Sequence, residues 1–224
     1  MKVELLSYTN LNVCDIAISK CYGKEPYGEL EKQQARINRV ANVSKHASTI
    51  EHLVYSFDID GVSRALLQEL ARHRIASYTV KSSRYTLKEL SLEEPFMEVL
   101  HNEPKHGFMS ISTDINRSRA SKYLVFTGID FIDNSSILAL EGLRSCISLG
   151  ISNDKAKYCM PEAYKTSLVM TINARSLQNF LSLRSSKHAL WEIQLLANAM
   201  YEQIPSDHKF LFEDVMQELI QGDK

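Results

Sequence analysis

LVYSFDI, residues 53–59, alternates without a break, so Leu53, Tyr55, Phe57 and Ile59 share one face. A period of two is the pattern of a half-buried strand. Asp60-Gly61 is expected to turn the chain. Ser63 is then expected to cap a helix over Arg64–His73, with Leu66, Leu67 and Leu70 inward. A rigid element therefore aims the segment at its end. That segment is ARHRIASYTVKSSRY, residues 71–85. It is the stretch richest in cations and hydroxyls: Arg72, His73, Arg74, Lys81 and Arg84, with Ser77, Ser82, Ser83 and, just beyond, Thr86.

Cations and hydroxyls together hold a phosphate by side chains. A glycine loop would hold it by backbone, but the eight glycines are scattered. Neither GxGxxG nor GxxxxGK followed by Ser or Thr occurs. By itself, an RHR tripeptide at a helix end does no more than complement the helix dipole. The reading of the basic segment therefore depends on the rest of the chain.

Residues 2–8 read as a strand and Asn12–Tyr22 as a helix with Val13, Ile16 and Ala17 inward. Residues 29–43 have helical potential and a basic face from Arg36 and Arg39. In KHASTIEH, residues 45–52, Ser48 or Thr49 can cap a short helix with Glu51 in its first turn. Residues 87–112 read as an insertion or lid, because Pro95, Pro104, Gly107 and many charges break any period. Helices are expected over Asp114–Phe126, over Ser135–Leu149 ahead of Gly150, and over Asn153–Met160 before Pro161.

Leu168–Ile172 reads as a strand running into NARSLQNFLSLR, residues 173–184. Asn173 is an N-cap, and Leu177, Phe180 and Leu181 form the apolar stripe of the helix. Arg184 falls on that stripe, where it either finds a partner or snorkels from the helix end. Arg175 and Asn179 are four apart on a different face and can hold one ligand together. His188–Ile204 is amphipathic, with Leu190, Ile193, Leu196, Ala197, Met200 and Ile204 inward, and the tail from 206 onward reads as one more helix.

Lys plus Arg is 26 against 27 for Asp plus Glu, which speaks against a general nucleic-acid binder. No apolar stretch approaches the length of a membrane span, and Glu4 interrupts the short apolar run at the start, so no signal peptide is expected. A cytoplasmic protein is expected, with Cys14, Cys21, Cys146 and Cys159 as reduced packing residues that form no CxxC pair. The seven histidines show no HExxH spacing, and no metal site is expected. The 224 residues read as a single domain.

Two long patterns stand far apart: RHRxxSxxxxSxRY at residues 72–85 and NARSxxNFxxLR at residues 173–184. With HxSxxEH at residues 46–52, they resemble the flavin-dependent thymidylate synthases, specifically over residues 45–85 and 168–191. The resemblance implies an α/β fold with a mixed central sheet and packed helices. It implies a homotetramer with sites shared between subunits. It implies reductive methylation of dUMP to dTMP, with methylenetetrahydrofolate as carbon donor and FAD reduced by NADPH.

The resemblance carries flavin contacts onto Ser48, Arg72, His73, Arg74, Val80, Asn173, Ala174, Arg175 and Asn179, with His46 and Glu51 in the same pattern. It carries nucleotide contacts onto Glu69, Arg72, Val80, Lys81, Ser82, Ser83, Arg84, Lys157 and Arg184. Arg184 is implied to assist ionisation of uracil N3. The family usually has Gln at the place of Glu69 and Arg at the place of Lys157, and polar residues where Thr79 and Val80 stand. No cysteine lies in either pattern, so the thiolate attack of the other thymidylate synthase class is not expected. Two readings stay open beside this one: a related flavoprotein without methyl transfer, and an RNA-binding module that stacks bases on Tyr78 and Tyr85.

Overall fold

The computed structural model describes residues 1–83, 87–97 and 114–216. The strands are β1 (Lys2–Tyr8), β2 (Val54–Ser63), β3 (Ala76–Val80) and β4 (Lys165–Asn173), in the sheet order β1-β2-β4-β3. The α-helices are α1 (Leu11–Tyr22), α2 (Leu30–Asn38), α3 (Arg64–Leu70), α4 (Asp114–Ala120), α5 (Asp130–Ser148), α6 (Asn153–Ala156), α7 (Ala174–Arg184) and α8 (Trp191–Glu202). β1 runs antiparallel to β2, from Lys2 opposite Asp60 to Tyr8 opposite Tyr55. β2 and β4 are antiparallel too, since Ala174 N bonds Leu53 O, Ser56 meets Thr171, and Arg64 N bonds Tyr164 O. The expected mixed sheet is thus antiparallel across β1, β2 and β4. The chain forms two compact units: residues 1–60, 68–79 and 168 onward make one, and residues 61–67 and 80–167 the other.

In the first unit Leu53, Tyr55, Phe57 and Ile59 are all fully buried, as the alternation predicts. α1 is capped by Asn10, whose Oδ1 accepts from Asn12 N at 2.9 Å, and it ends at Gly23 with φ +60°. Its buried face is Leu11, Cys14, Asp15, Ile18 and Ser19, whereas Val13 and Ile16 are exposed. The sequence misplaced this face because Asp15 goes inward to meet Arg36, whose Nε donates to Asp15 Oδ1 at 2.6 Å. Arg36, expected on a basic face with Arg39, is itself buried, and its guanidinium lies 4.0 Å from the centroid of the Tyr27 ring. Arg39 does face solvent.

Residues Ala47–His52 form a 3-10 turn in which neither Ser48 nor Thr49 caps the end; Thr49 Oγ1 instead donates to His46 O at 3.0 Å. α8 begins at Trp191 rather than His188, with Ile193, Leu196, Ala197 and Met200 buried. The tail continues as a 3-10 turn, Ser206–Leu211, and the expected helix beyond residue 216 lies outside the described residues.

His208 on that turn is fully buried, with Nδ1 2.8 Å from the Tyr55 hydroxyl. Burial pushes its pKa down, against the pull of Asp207. A folded pKa below the unfolded value means that the unfolded chain binds more protons. Stability should therefore fall as the pH drops below about 6.5. Unfolding temperatures at two pH values, one on each side of this point, should differ in that direction. The difference should shrink in His208→Gln, leaving the part due to His73, which burial also pushes down. An undiminished difference in the variant would place the pH dependence elsewhere.

In the second unit β2 does not turn at Asp60-Gly61. Gly61 takes φ +73°, where a side chain would be strained, and the strand continues to the buried Val62 and Ser63. Ser63 Oγ accepts from Leu66 N at 3.0 Å, the N-cap that the sequence predicts. Leu87, Leu90 and Phe96 join Ala120, Tyr123, Leu124, Ile137, Leu140, Leu143 and Ala156 in one core. The first part of the expected lid is therefore core, and residues 98–112 lie outside the described residues.

α4 stops at Ala120 rather than Phe126, because Leu124 bridges Tyr164 and Val125 N bonds Ala163 O. α5 begins before Ser135, at Asp130. The buried Asp133 accepts from Thr127 N, Thr127 Oγ1, Gly128 N and Arg117, and so fastens the preceding loop to the helix. α6 gives way at Lys157 to a 3-10 turn, Lys157–Cys159, rather than continuing to Met160. Among the described residues no helix is long and apolar enough to cross a membrane, and no group of three His, Cys, Asp or Glu is placed to hold a metal ion.

Candidate functional site

α3 ends at Leu70, three residues before the expected His73, where Arg72 N bonds Glu69 O and His73 N bonds Leu70 O. The Tyr78 hydroxyl lies 2.7 Å from His73 O and 3.1 Å from Leu70 O, so one donor serves two carbonyls at the helix end. Burial pushes the Tyr78 pKa up to about 12, which keeps the hydroxyl protonated and donating. Tyr78, which the alternative RNA-binding reading used for base stacking, thus pins the Arg72–Arg74 turn. No local pattern marks this role, because the contact depends on β3 folding back beside α3.

Arg184 leaves the last turn of α7 with a side chain only 19% exposed. Its Nη1 donates to Glu69 Oε2 at 3.1 Å and its Nη2 to Glu69 O at 3.1 Å. The partner demanded by its place on the apolar stripe is therefore internal. The other oxygen of Glu69 lies 3.5 Å from Arg72 Nη1, so one carboxylate touches an arginine from each sequence pattern. The His73 ring meets Phe180 of α7 edge-on, with centroids 5.6 Å apart. His73 Nε2 is buried with no hydrogen-bond partner among the described residues. Burial first, and the Arg184 charge second, push its pKa down, so the imidazole is neutral near pH 7. A buried unpaired ring nitrogen costs free energy unless a ligand meets it.

At the other end of α7, Asn173 Oδ1 accepts from Ser176 N at 2.9 Å, the predicted N-cap. Ala174 is buried, and its N–H bonds Leu53 O. Arg175 and Asn179 lie on one side of the helix, and both are exposed. Arg175 Nη1 donates to Glu51 Oε1 at 2.6 Å, tying α7 to the Ala47–His52 turn, on which Ser48 is placed and which the exposed His46 precedes. Arg72 and Arg74 are exposed as well. The first unit thus combines exposed cations, a neutral histidine with an unmet nitrogen, and one arginine held in a fixed direction. Such a set holds an anionic ligand and stabilises negative charge on it.

The second unit carries the remaining positions. Val80 ends β3, and Lys81 N donates to Ser167 O at 2.8 Å while its side chain is exposed. Ser82 and Ser83 are half-buried, and Arg84 lies outside the described residues. Lys157 is exposed at the start of its 3-10 turn, directly after the buried Ala156. The expectation of four packing cysteines holds for Cys14 and for Cys146, which packs against the core of the second unit. Cys14 is buried, it donates to Thr49 O, and burial pushes its pKa up to about 12. Cys21 and Cys159 are exposed, and Cys146 is half-buried.

Residues 4–207 match the family described as thymidylate synthase complementing protein. The chain is 53% identical over 214 residues to the flavin-dependent thymidylate synthase of Wolinella succinogenes, covering 95% of this chain and 97% of that one. It is 47% identical over 219 residues to the flavin-dependent thymidylate synthase of Helicobacter pylori, covering 96% and 99%. The crystal structure of Thymidylate Synthase X from Helicobacter pylori with FAD and dUMP superposes with a TM-score of 0.85 at 46% identity, covering 97% of this chain and 99% of that one.

Proposed function

The chain belongs to the thymidylate synthase complementing protein family, the flavin-dependent thymidylate synthases, and on that premise we propose that it converts dUMP to dTMP by reductive methylation. Methylenetetrahydrofolate is the carbon donor, and NADPH reduces the FAD. The observation that carries this reading is the Glu69 carboxylate, which lies 3.1 Å from Arg184 and 3.5 Å from Arg72 and so meets one arginine from each of the two sequence patterns. A coincidental match of either pattern would have no reason to meet the other.

The residues of the first unit fit FAD. Its pyrophosphate is dianionic, and Arg72, Arg74 and Arg175 are exposed cations. His73 Nε2 is a buried polar atom that needs a partner. Ser48, His73, Asn173, Ala174 and Asn179 complete the proposed flavin contacts of this unit, and Val80 is the flavin contact proposed in the second. Bound FAD supplies the reducing equivalents of the reaction.

Arg184 is the residue proposed to meet the uracil ring of dUMP. It cannot remove a proton, because a guanidinium stays charged at any working pH. Its task is to stabilise the negative charge that appears as uracil N3 ionises. Glu69 uses two of the five N–H donors of Arg184 and leaves the others for the ring. The nucleotide phosphate falls to Arg72, Lys81, Ser82, Ser83, Arg84 and Lys157, as charge-assisted donors. The two units serve one catalytic domain, and the active enzyme is a cytoplasmic homotetramer with sites shared between subunits.

The test is dTMP formation by the purified chain from dUMP, methylenetetrahydrofolate, FAD and NADPH. A colourless protein that forms no dTMP under these conditions would end the proposal. Within it, Arg175→Ala and Asn179→Ala should each weaken FAD binding, read as loss of bound flavin absorbance. Unchanged flavin content in both would remove the α7 face from the site.

Lys157→Ala should raise the dUMP dissociation constant by about 10–100-fold, the range of a charged hydrogen bond of roughly 1.5–3 kcal/mol. Affinity for deoxyuridine, which lacks the phosphate, should stay within about twofold. Equal losses for both ligands would show that Lys157 does not act on the phosphate.

A further inference from the structure

The proposed reaction leaves one pair of reactive side chains unused. Cys146 lies in the last turn of α5 and Cys159 ends the Lys157–Cys159 turn, and their sulfurs stand 3.8 Å apart. Both are free thiols, and the two segments pack on each other within the second unit. The backbone is held on each side. Cys146 O accepts from Ile151 N at 3.0 Å, and Lys157 O accepts from Met160 N at 3.1 Å. A disulfide has sulfurs about 2.0 Å apart, so closure needs an approach of about 1.8 Å. Side-chain rotation about two Cα–Cβ bonds supplies movement of that order while the backbone stays in place.

We propose that Cys146 and Cys159 form a thiol–disulfide site that a low-molecular-weight disulfide in solution closes to an intrachain bond. Exposure sets the order of events. Cys159 is exposed and meets the reagent first, while Cys146 is half-buried behind it. Burial and the neighbouring sulfur both push the Cys146 pKa up, which lowers its thiolate fraction and leaves the first attack on the reagent to Cys159.

In the first step the Cys159 thiolate attacks one sulfur of the reagent disulfide, forming a mixed disulfide and releasing one reagent thiolate. That thiolate takes a proton from solution. Cys146 then loses its proton to solvent and attacks Cys159 Sγ, which forms the Cys146–Cys159 bond and releases the second reagent thiol. Two protein thiols give up two electrons and two protons, and one reagent disulfide becomes two thiols. The closed loop contains α6 and Lys157, so the bond tethers the turn that carries this lysine to the end of α5.

The experiment uses the full chain with its flavin, equilibrated with oxidised glutathione, quenched in acid, alkylated with N-ethylmaleimide and mapped by peptide mass. The expected product is a Cys146 peptide joined to a Cys159 peptide, about 2 Da lighter than their sum. It should exceed the glutathione adduct at Cys159 by more than about tenfold, as an intramolecular thiol outcompetes a dissolved one. Cys21, exposed on α1, should carry glutathione under the same conditions and so report that the reagent is active. In Cys146→Ser, Cys159 should change to carrying glutathione, with flavin content unchanged. If Cys159 of the parent chain carries glutathione or maleimide as Cys21 does, the two thiols are not a closing pair and the proposal fails.

Discussion

Arg184→Lys should fold, retain FAD and form dTMP about 10²–10³-fold more slowly than the parent. Lysine keeps the charge, but a single ammonium cannot meet the Glu69 carboxylate, the Glu69 carbonyl and a ligand at once. Arg184→Ala should lose at least as much turnover. Its stability is the more informative number. Removing one partner of a fully buried ion pair costs about 3–5 kcal/mol. Glu69 is different, since its side chain is 35% exposed and Arg72 stands 3.5 Å from its other oxygen. Water and Arg72 can take up the freed carboxylate, so the loss should be about 1 kcal/mol. The checking measurement is thermal unfolding without ligand, paired with the dTMP assay. A collapse of stability would make the arginine a structural residue. Retained turnover in either variant would move the uracil contact to another residue.

Arg36→Ala should be the most destabilising of these substitutions, by about 3–5 kcal/mol. Asp15 has no exposed side-chain surface, and Arg36 has almost none. Truncating Arg36 leaves Asp15 with the Tyr27 N–H at 2.7 Å and no counter-charge. For a chain of this length the unfolding temperature should drop by about 10 °C. Replacing both partners, with Asp15→Asn and Arg36→Met together, should recover part of the loss, because no buried charge then remains unpaired. A loss below about 1 kcal/mol for Arg36→Ala would mean that water reaches Asp15 once the guanidinium is gone.

Both arginines pair with residues remote in sequence, which no local pattern announces. Elsewhere local pattern sufficed. The alternation of residues 53–59 assigned the right face to Leu53, Tyr55, Phe57 and Ile59, because period and burial are both local properties of a strand. Ser63 and Asn173 were legible as caps for the same reason, since a cap needs only the next three residues. The two long patterns, through their resemblance to the flavin-dependent thymidylate synthases, led to the expectation that Arg72, His73 and Arg184 serve one site.

Tertiary structure decided the rest. The periodicity of α1 pointed to Val13 and Ile16, but the Asp15–Arg36 attraction turned Leu11, Cys14 and Ile18 inward instead. Residues 87–112 read as an insertion or lid because Pro95, Pro104, Gly107 and many charges break the pattern. Yet Leu87, Leu90 and Phe96 reach a core whose other members come from α4–α6 and the segment joining α4 to α5. The internal partner of Arg184 was invisible for the same reason. Glu69 looked like a helix-surface neighbour of Arg72, and only the fold brings α7 across to it. Sequence determined which residues are apolar, capped or charged within a turn of one another. The fold decided which charges meet, because desolvating a charge is tolerated only where a distant segment supplies its counter-charge.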